Sequence, residues 1–378
     1  MNKIKYIVHY DTPDSSEKRN TSPATVTKVD YILKVLDRLG VKTEVVSASD
    51  TVCGERYPES MTQIGQNVVL KKFKTLCRGN KILNVISRSV FKIRFYNYLL
   101  KNVKDGDVVF AYHSLALIWI LKCLKRLRNI RLILEVEEIY GDVKENKKIS
   151  KKELRFFKLA DAYIFPTELL NEKINKDSKP FAIVYGTYNI NTSQIEKFSD
   201  GKTHCVYAGT LDPNKGGASM AVSAGEHLND KFVIHILGFG TQEQIDKINK
   251  EIEIANNKDG AKVIYEGVLK GADYDNFLKK CDIGLSTQIS SASFNDTSFP
   301  SKVLTYLSNG LTVISGKIAV LTTSKLNELI CYYDDNEGKS ISKAIEMASL
   351  KNTDNSADVL KKLDEEFSRE IEGMLKER

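Results

Sequence analysis

The sequence predicts an α/β protein made of two Rossmann-like domains in tandem, and three observations carry the prediction. Short apolar runs of four to seven residues alternate with amphipathic segments of helical period through most of the chain. One polar, aperiodic stretch, 189–202, breaks that alternation, and the same architecture resumes after it. The length of 378 residues, 42% hydrophobic and 28% charged, suits two folded domains at roughly 150 residues each.

Residues 4–10 form an apolar run suited to a buried strand. A helix is expected over 26–39, where Val26, Val29, Ile32, Leu33 and Leu36 fall at helical spacing and Gly40 supplies the stop. Further β-prone runs at 41–47, 108–112, 132–136, 162–166 and 181–185 are separated by helical patterns such as 115–127 and 151–159. Strands alternating with helices in this way pair in parallel and are covered on both faces. The second half offers strands at 205–210, 232–237, 263–267, 283–287 and 312–315, each followed by a helical segment. These patterns divide the chain into a first domain at 1–190, a second at 203–355, and a charged terminal helix at 356–378 that is a candidate to pack back on the first.

Several classes are excluded. The longest apolar stretch, 115–121, stops at Lys122, well short of the roughly 20 residues of a membrane span. The start reaches His9 and Asp11 before a signal-peptide core develops, so a cytoplasmic protein is expected. Cys53, Cys77, Cys123, Cys205, Cys281 and Cys331 include no CxxC pair and no histidine at ligand spacing. Neither a disulfide framework nor a metal site is therefore expected.

The net charge of +7 is unevenly spread: the first 200 residues hold 35 basic and 23 acidic side chains, the remainder 21 and 26. Between Met61 and Lys104 there is no acidic residue, while Lys71, Lys72, Lys74, Arg78, Lys81, Arg88, Lys92, Arg94 and Lys101 alternate with apolar residues such as Phe73, Ile82, Val85, Phe91 and Leu99. Lys122, Lys125, Arg126, Arg128 and Arg131 form a second cluster. A cationic amphipathic surface of this kind draws anionic lipid headgroups, which predicts peripheral attachment to the inner face of a membrane. Nucleic acid is disfavoured, because no helix-turn-helix, finger or RNP-like signature accompanies the charge.

In open parallel sheets ligands bind beyond the carboxyl ends of strands, so candidate residues are sought there. The run Tyr207-Ala-Gly-Thr-Leu-Asp-Pro-Asn-Lys-Gly-Gly217 leads a strand into a turn where Gly209, Thr210 and Lys215 can approach a phosphate. It lacks P-loop spacing. Gly238 and Gly240 end the next strand without the third glycine of a dinucleotide fingerprint, which disfavours NAD. The strongest signal runs from Asn295 to Ser315: Ser298 can cap a helix, Phe299 and Pro300 follow, and the amides near Ser301 with Lys302 form an anion site, one turn before Thr305. In the first half, His113 follows one strand and Glu137 and Glu138 follow the next. All three can face a cleft between domains as acid, base or positioning groups. Asp105-Gly-Asp107 precedes its strand and so lies at the wrong edge for a metal-binding role.

On these motifs the chain resembles glycosyltransferases of the GT-B architecture, of the family 4-like kind that builds bacterial surface polysaccharides such as capsule, O-antigen and exopolysaccharide. Gly209 to Gly216 stands where that family has its Gly-Arg-x-x-x-x-Lys-Gly turn, with Lys215 kept and Thr210 replacing arginine. The family's two glutamates are replaced by Thr297 and Thr305, so Lys302 and the Ser298 to Ser301 turn take over part of the donor contact. The resemblance implies a nucleotide diphosphate sugar, UDP- or GDP-linked, as donor substrate, no separate cofactor, and retention at the anomeric carbon. It places the acceptor-side loop at Asn20 and Ser22 and implies a lipid-linked glycan as acceptor. A nucleotide-sugar epimerase of the same architecture and a non-catalytic nucleotide- or nucleic-acid-binding protein are the alternatives, and release of free nucleotide diphosphate separates them.

Overall fold

The computed structural model describes residues 3–52, 54–76, 81–191, 194–289, 297–350 and 355–376. The chain divides into two compact units: Met1–Pro166 with Leu170–Thr187 and Glu366–Arg378, and Thr167–Leu169 with Tyr188–Glu365.

The first unit runs β1 (Ile4–Val8), α1 (Pro23–Arg38), β2 (Thr43–Ser47), β3 (Ser60–Gln63), β4 (Val68–Lys72), α2 (Lys81–Asn102), β5 (Val108–Tyr112), α3 (Ile118–Leu127), β6 (Arg131–Glu135), α4 (Tyr140–Val143), α5 (Lys147–Phe157), β7 (Ala162–Phe165), α6 (Glu168–Ile174) and β8 (Phe181–Ile183). Its sheet has the order β3-β4-β2-β1-β5-β6-β7-β8. All neighbours are parallel except β3, which is antiparallel to β4. The core packs the β-branched and aromatic strand residues Ile7, Val46, Val109 and Phe165 with Leu99 of α2, Leu121 of α3 and Phe156 of α5.

The second unit runs β9 (Thr203–Thr210), α7 (Gly217–Gly225), β10 (Phe232–Phe239), α8 (Gln242–Asn256), β11 (Lys262–Gly267), α9 (Gly271–Lys280), β12 (Ile283–Ser286), α10 (Ser301–Ser308), β13 (Thr312–Gly316), α11 (Ala319–Thr322), β14 (Ile330–Tyr333), α12 (Gly338–Ser349) and the start of α13 (Ser356–Lys376). Its six strands are parallel in the order β11-β10-β9-β12-β13-β14. Ala221 of α7, Ile248 of α8 and Ile345 of α12 close over Cys205, Ile234 and Ile314. The later part of α13 belongs to the first unit, where Phe367 stacks on Tyr31 at 5.9 Å and Glu370 accepts the Ile183 amide at 3.2 Å.

Three departures from the sequence reading have physical causes. The acid-free stretch is not one surface, because 60–63 and 68–72 form a hairpin at the sheet edge. Asp37 holds its turn by accepting the amides of Gln66 and Asn67 at 2.9 and 2.6 Å. Lys71 and Lys72 are consequently drawn in and neutralised, Lys71 by Glu59, and Lys72 by Asp11 at 3.2 Å and Glu17 at 3.0 Å. Arg78 and Cys77 lie outside the described residues, as do Cys53, Asn295 and Asp296. The helix expected from 115 begins only at Ile118, since Ser114 accepts the Leu117 amide in a turn. Ser298 does not cap α10: Pro300 occupies the N-cap position with extended backbone, and the helix starts at Ser301 without a side-chain cap. A proline biases the residue before it out of helical conformation, which moves the start past Ser298.

Candidate functional site

In the second unit the site forms where β9 and β10 end side by side, with Gly209 opposite Gly238 in parallel register. A Cβ on Gly238 would come 2.5 Å from the Gly209 carbonyl, and one on Gly209 would come 2.7 Å from Lys302 Nζ. Gly238 is therefore required by close approach of backbone, whereas at Gly209 it is the flexible end of Lys302 that would have to give way. The space Gly209 leaves is taken by the Lys302 side chain, whose Nζ lies 3.9 Å from the centre of the Tyr207 ring. Helix α10 is pinned in place one turn later: the buried Tyr306 hydroxyl accepts the Ala208 amide at 2.9 Å.

Lys302 has no carboxylate within ion-pair distance among the described residues. Burial pushes its ammonium down to about 7, and the nearby charge of Lys215 acts in the same direction. A half-buried cation without a counter-charge is an electrostatic vacancy for an anion. It lines a cavity of about 320 Å³ together with Gly209, Gly238, Tyr274, Ser301 and Thr305. Lys215 is exposed, in a turn that ends at Gly216, where a φ of 67° favours glycine, just before α7 begins. Of the other expected donor residues, Thr210 accepts through its carbonyl from the Tyr207 hydroxyl at 2.9 Å. Gly240 sits against Gln244 of the α8 capping box. Tyr207, Tyr274 and Tyr306 escaped the sequence reading, since a tyrosine in a strand or helix pattern reads as core.

In the first unit the expected acid and base residues are not equally accessible. His113 is 1% exposed and does not present its ring to solvent. Its Nε2 meets Glu153 Oε1 at 2.7 Å, and its amide donates to the Glu135 carbonyl at 2.7 Å. Glu153, itself 0% exposed on α5, also accepts the amides of Tyr140 at 3.0 Å and Gly141 at 2.7 Å. The expected open position of His113 is thus closed by a carboxylate from a helix later in the chain. Glu153 escaped notice because an acidic residue on a charged amphipathic helix reads as solvated.

Glu137 and Glu138 are both partly exposed at the end of β6. Glu137 Oε1 lies 2.5 Å from the buried Lys28 Nζ, an ion pair in distance whose angles fall short of a hydrogen bond. Burial, then the charges of Glu137 and Glu153, push the Glu138 carboxyl up. Beneath them Glu135 is 1% exposed and accepts from the Tyr6 hydroxyl. Burial, reinforced by Glu137, raises Glu135 to about 8, so it holds a proton at neutral pH. Ser22 stands exposed at the N-cap of α1 without a capping bond, and the Asn20 amide donates to the Asp50 carbonyl at 2.7 Å. Asp105 and Asp107 accept the amides of Asn129 and Lys104, both at 2.8 Å, and so shape turns.

Two Rossmann-like α/β units in one chain, one with an all-parallel sheet and one parallel but for its edge strand β3, make the GT-B fold. A structure from E. coli described as trehalose-6-phosphate bound with UDP-2-fluoro glucose is similar at TM-score 0.68 and 11% identity, covering 99% of each chain. A sucrose-phosphate synthase from Thermosynechococcus elongatus is similar at 0.66 and 13%, over 99% of this chain and 98% of that one. A trehalose 6-phosphate synthase from Burkholderia multivorans gives 0.65 and 11%, over 99% and 98%. At such identities the likeness is one of fold. No protein-family model and no curated protein sequence matches the chain.

Proposed function

We propose that this protein is a glycosyltransferase that moves a sugar from a nucleotide diphosphate sugar to a hydroxyl of a lipid-linked glycan, in the synthesis of a surface polysaccharide. The acceptor oxygen attacks the anomeric carbon, the bond from that carbon to the phosphate oxygen breaks, and nucleotide diphosphate leaves. If the anomeric carbon inverts, the acceptor hydroxyl proton passes to a protein base, for which the partly exposed Glu138 is the candidate, with Glu137 beside it; with retention the departing phosphate oxygen takes it. His113, at the end of the neighbouring strand β5, is a positioning residue. The observation that carries the reading is Lys302, a half-buried cation without a counter-charge among the described residues, held over Tyr207 near the end of β9. A departing diphosphate supplies the missing negative charge. The UDP-sugar named with the similar E. coli structure supports a donor of this class.

The lipid side of the reading rests on α2. Ile82 and Val85 are 71% and 65% exposed on its first turns, followed by the exposed Arg88 and Lys92. Apolar residues beside cations that have no ion-pair partner among the described residues suit an anionic membrane surface. No helix among the described residues is long and apolar enough to cross a membrane.

The test mixes the protein with UDP- and GDP-hexoses, each with and without a prenyl-pyrophosphate-linked glycan. Acceptor-dependent release of nucleotide diphosphate is expected, together with sedimentation on phosphatidylglycerol vesicles that Ile82→Ser/Val85→Ser weakens. Release with no acceptor dependence, or interconversion of the donor sugar without release, overturns the transfer reading. Equal sedimentation on neutral vesicles overturns the membrane part.

A further inference from the structure

A second cavity, of about 520 Å³, opens in the first unit. It lies where the ends of β1, β2 and β5 meet one face of α2, with His9 following β1, Ala48 following β2 and Ala116 beyond β5. In the sheet β1 stands between β2 and β5, so the chain winds away from it in both directions. A doubly wound sheet leaves its ligand crevice at such a switch point. The volume falls within the roughly 300–1,000 Å³ of small-molecule sites.

The lining is divided by chemistry. Phe91 and Phe95 are buried on α2 and give an apolar floor. His9, Asn20 and Asp50 supply groups that exchange hydrogen bonds with hydroxyls. Burial lowers His9 from its ordinary value, so it is neutral at pH 7, and its buried Nδ1 has no hydrogen-bond partner among the described residues. Positive charge is confined to the rim, where Arg88 and Lys92 stand one turn apart, exposed and without an ion-pair partner among the described residues. An aromatic floor with hydroxyl-seeking groups suits a sugar ring. Two free cations at its edge suit an anion, with the Arg88 fork matched to phosphate geometry.

We infer that this cavity binds a phosphorylated sugar, its ring over Phe91 and Phe95 and its phosphate at Arg88 and Lys92. The inference rests on the transferase reading above and deepens it, by making the acceptor a sugar that carries its own phosphate. The phosphate ester of a soluble sugar and the pyrophosphate of a lipid-linked sugar share this chemistry.

Calorimetry on the full chain separates the sources and tests the site. The probes are hexose 1-phosphate, hexose 6-phosphate, the free hexose, and a farnesyl-pyrophosphoryl hexose in detergent micelles with empty micelles as control. At least one phosphorylated probe is expected to bind, at least tenfold more weakly to R88Q/K92Q, with affinity restored in R88K/K92R and reduced by added salt. Binding of the farnesyl probe alone assigns the phosphate to a lipid-linked sugar, and binding of the soluble esters assigns it to a free one. Both cations are exposed, so an unchanged melting temperature of R88Q/K92Q is expected. Failure of every phosphorylated probe, or equal affinity for the wild type and R88Q/K92Q, overturns the inference. Titrating nucleotide diphosphate into the same sample reads the second unit independently. Nucleotide binding without sugar-phosphate binding sinks this site and leaves the donor reading standing, and the reverse result sinks the donor reading alone.

Discussion

Glu135 in the first unit, buried, and Lys302 in the second, half-buried, are both ionisable groups near the ends of parallel strands, and their surroundings differ in kind. Around Glu135 the protein supplies partners of its own, although Glu135 Oε1 and His113 Nδ1 have no hydrogen-bond partner among the described residues. Tyr6 donates to the carboxyl, Glu137 faces Lys28 close by, and Glu153 gathers His113 with two backbone amides. Around Lys302 no described residue supplies opposite charge, and the group lines a cavity. Buried polar groups cost folding energy unless they are paired. Groups that the protein itself pairs in charge therefore read as architecture, and a cation left unpaired beside a cavity reads as a place for a ligand.

The largest effect is expected from opening the closed side. Glu153→Ala removes the acceptor of His113 and of the Tyr140 and Gly141 amides, and losing buried partners should cost roughly 3 kcal/mol or more of stability. Denaturant unfolding measures it, and a loss under about 1 kcal/mol would put Glu153 among ordinary surface carboxylates. Next comes the open side. Lys302→Met should weaken nucleotide diphosphate binding by about tenfold to a hundredfold, a charge-assisted contact being worth roughly 1.5–3 kcal/mol. The same change removes an uncompensated charge, so the melting temperature at neutral pH should hold or rise. Unchanged nucleotide affinity would show that the comparison misplaces the functional cation.

The third measurement is the pH dependence, in which the two groups act with opposite slopes. Glu135 has its folded value raised from 4.5 to about 8, so the folded state binds the extra proton. Its contribution is fully present below about 4.5 and is lost as pH rises to about 8. Lys302 has its folded value lowered from 10.5 to about 7, so the unfolded state binds more protons between those limits and stability rises with pH there. Glu135→Gln should flatten the acid-side fall and leave the alkaline-side rise. Melting curves from pH 5 to 10 on this variant and on Lys302→Met measure both, and a slope on either side that survives its own substitution belongs to another group.

The order of strands and helices was legible because burial on both faces of a parallel sheet leaves continuous apolar runs such as 108–112 and 283–286. The hairpin at 60–72 was not, since an edge pair carries polar residues and its pairing depends on Asp37 from a distant helix. In the site, Gly209, Gly238 and Lys302 could be singled out because glycines at strand ends and a lysine at a helix start are local patterns. That Lys302 packs on Tyr207, or that Tyr306 ties α10 to β9, depends on contacts across about a hundred residues.

From the sequence alone came two α/β halves, an uneven charge and a short roll of strand-end residues, all read from neighbours in the chain through periodicity and composition. The tertiary structure decided which of those residues are open. Accessibility is set by what arrives from elsewhere: Glu153 from α5 seals His113, Glu59 and Glu17 neutralise Lys71 and Lys72, and no carboxylate among the described residues reaches Lys302. Whether a charge is compensated depends on distance in space, where a few ångströms in a low dielectric outweigh any spacing along the chain.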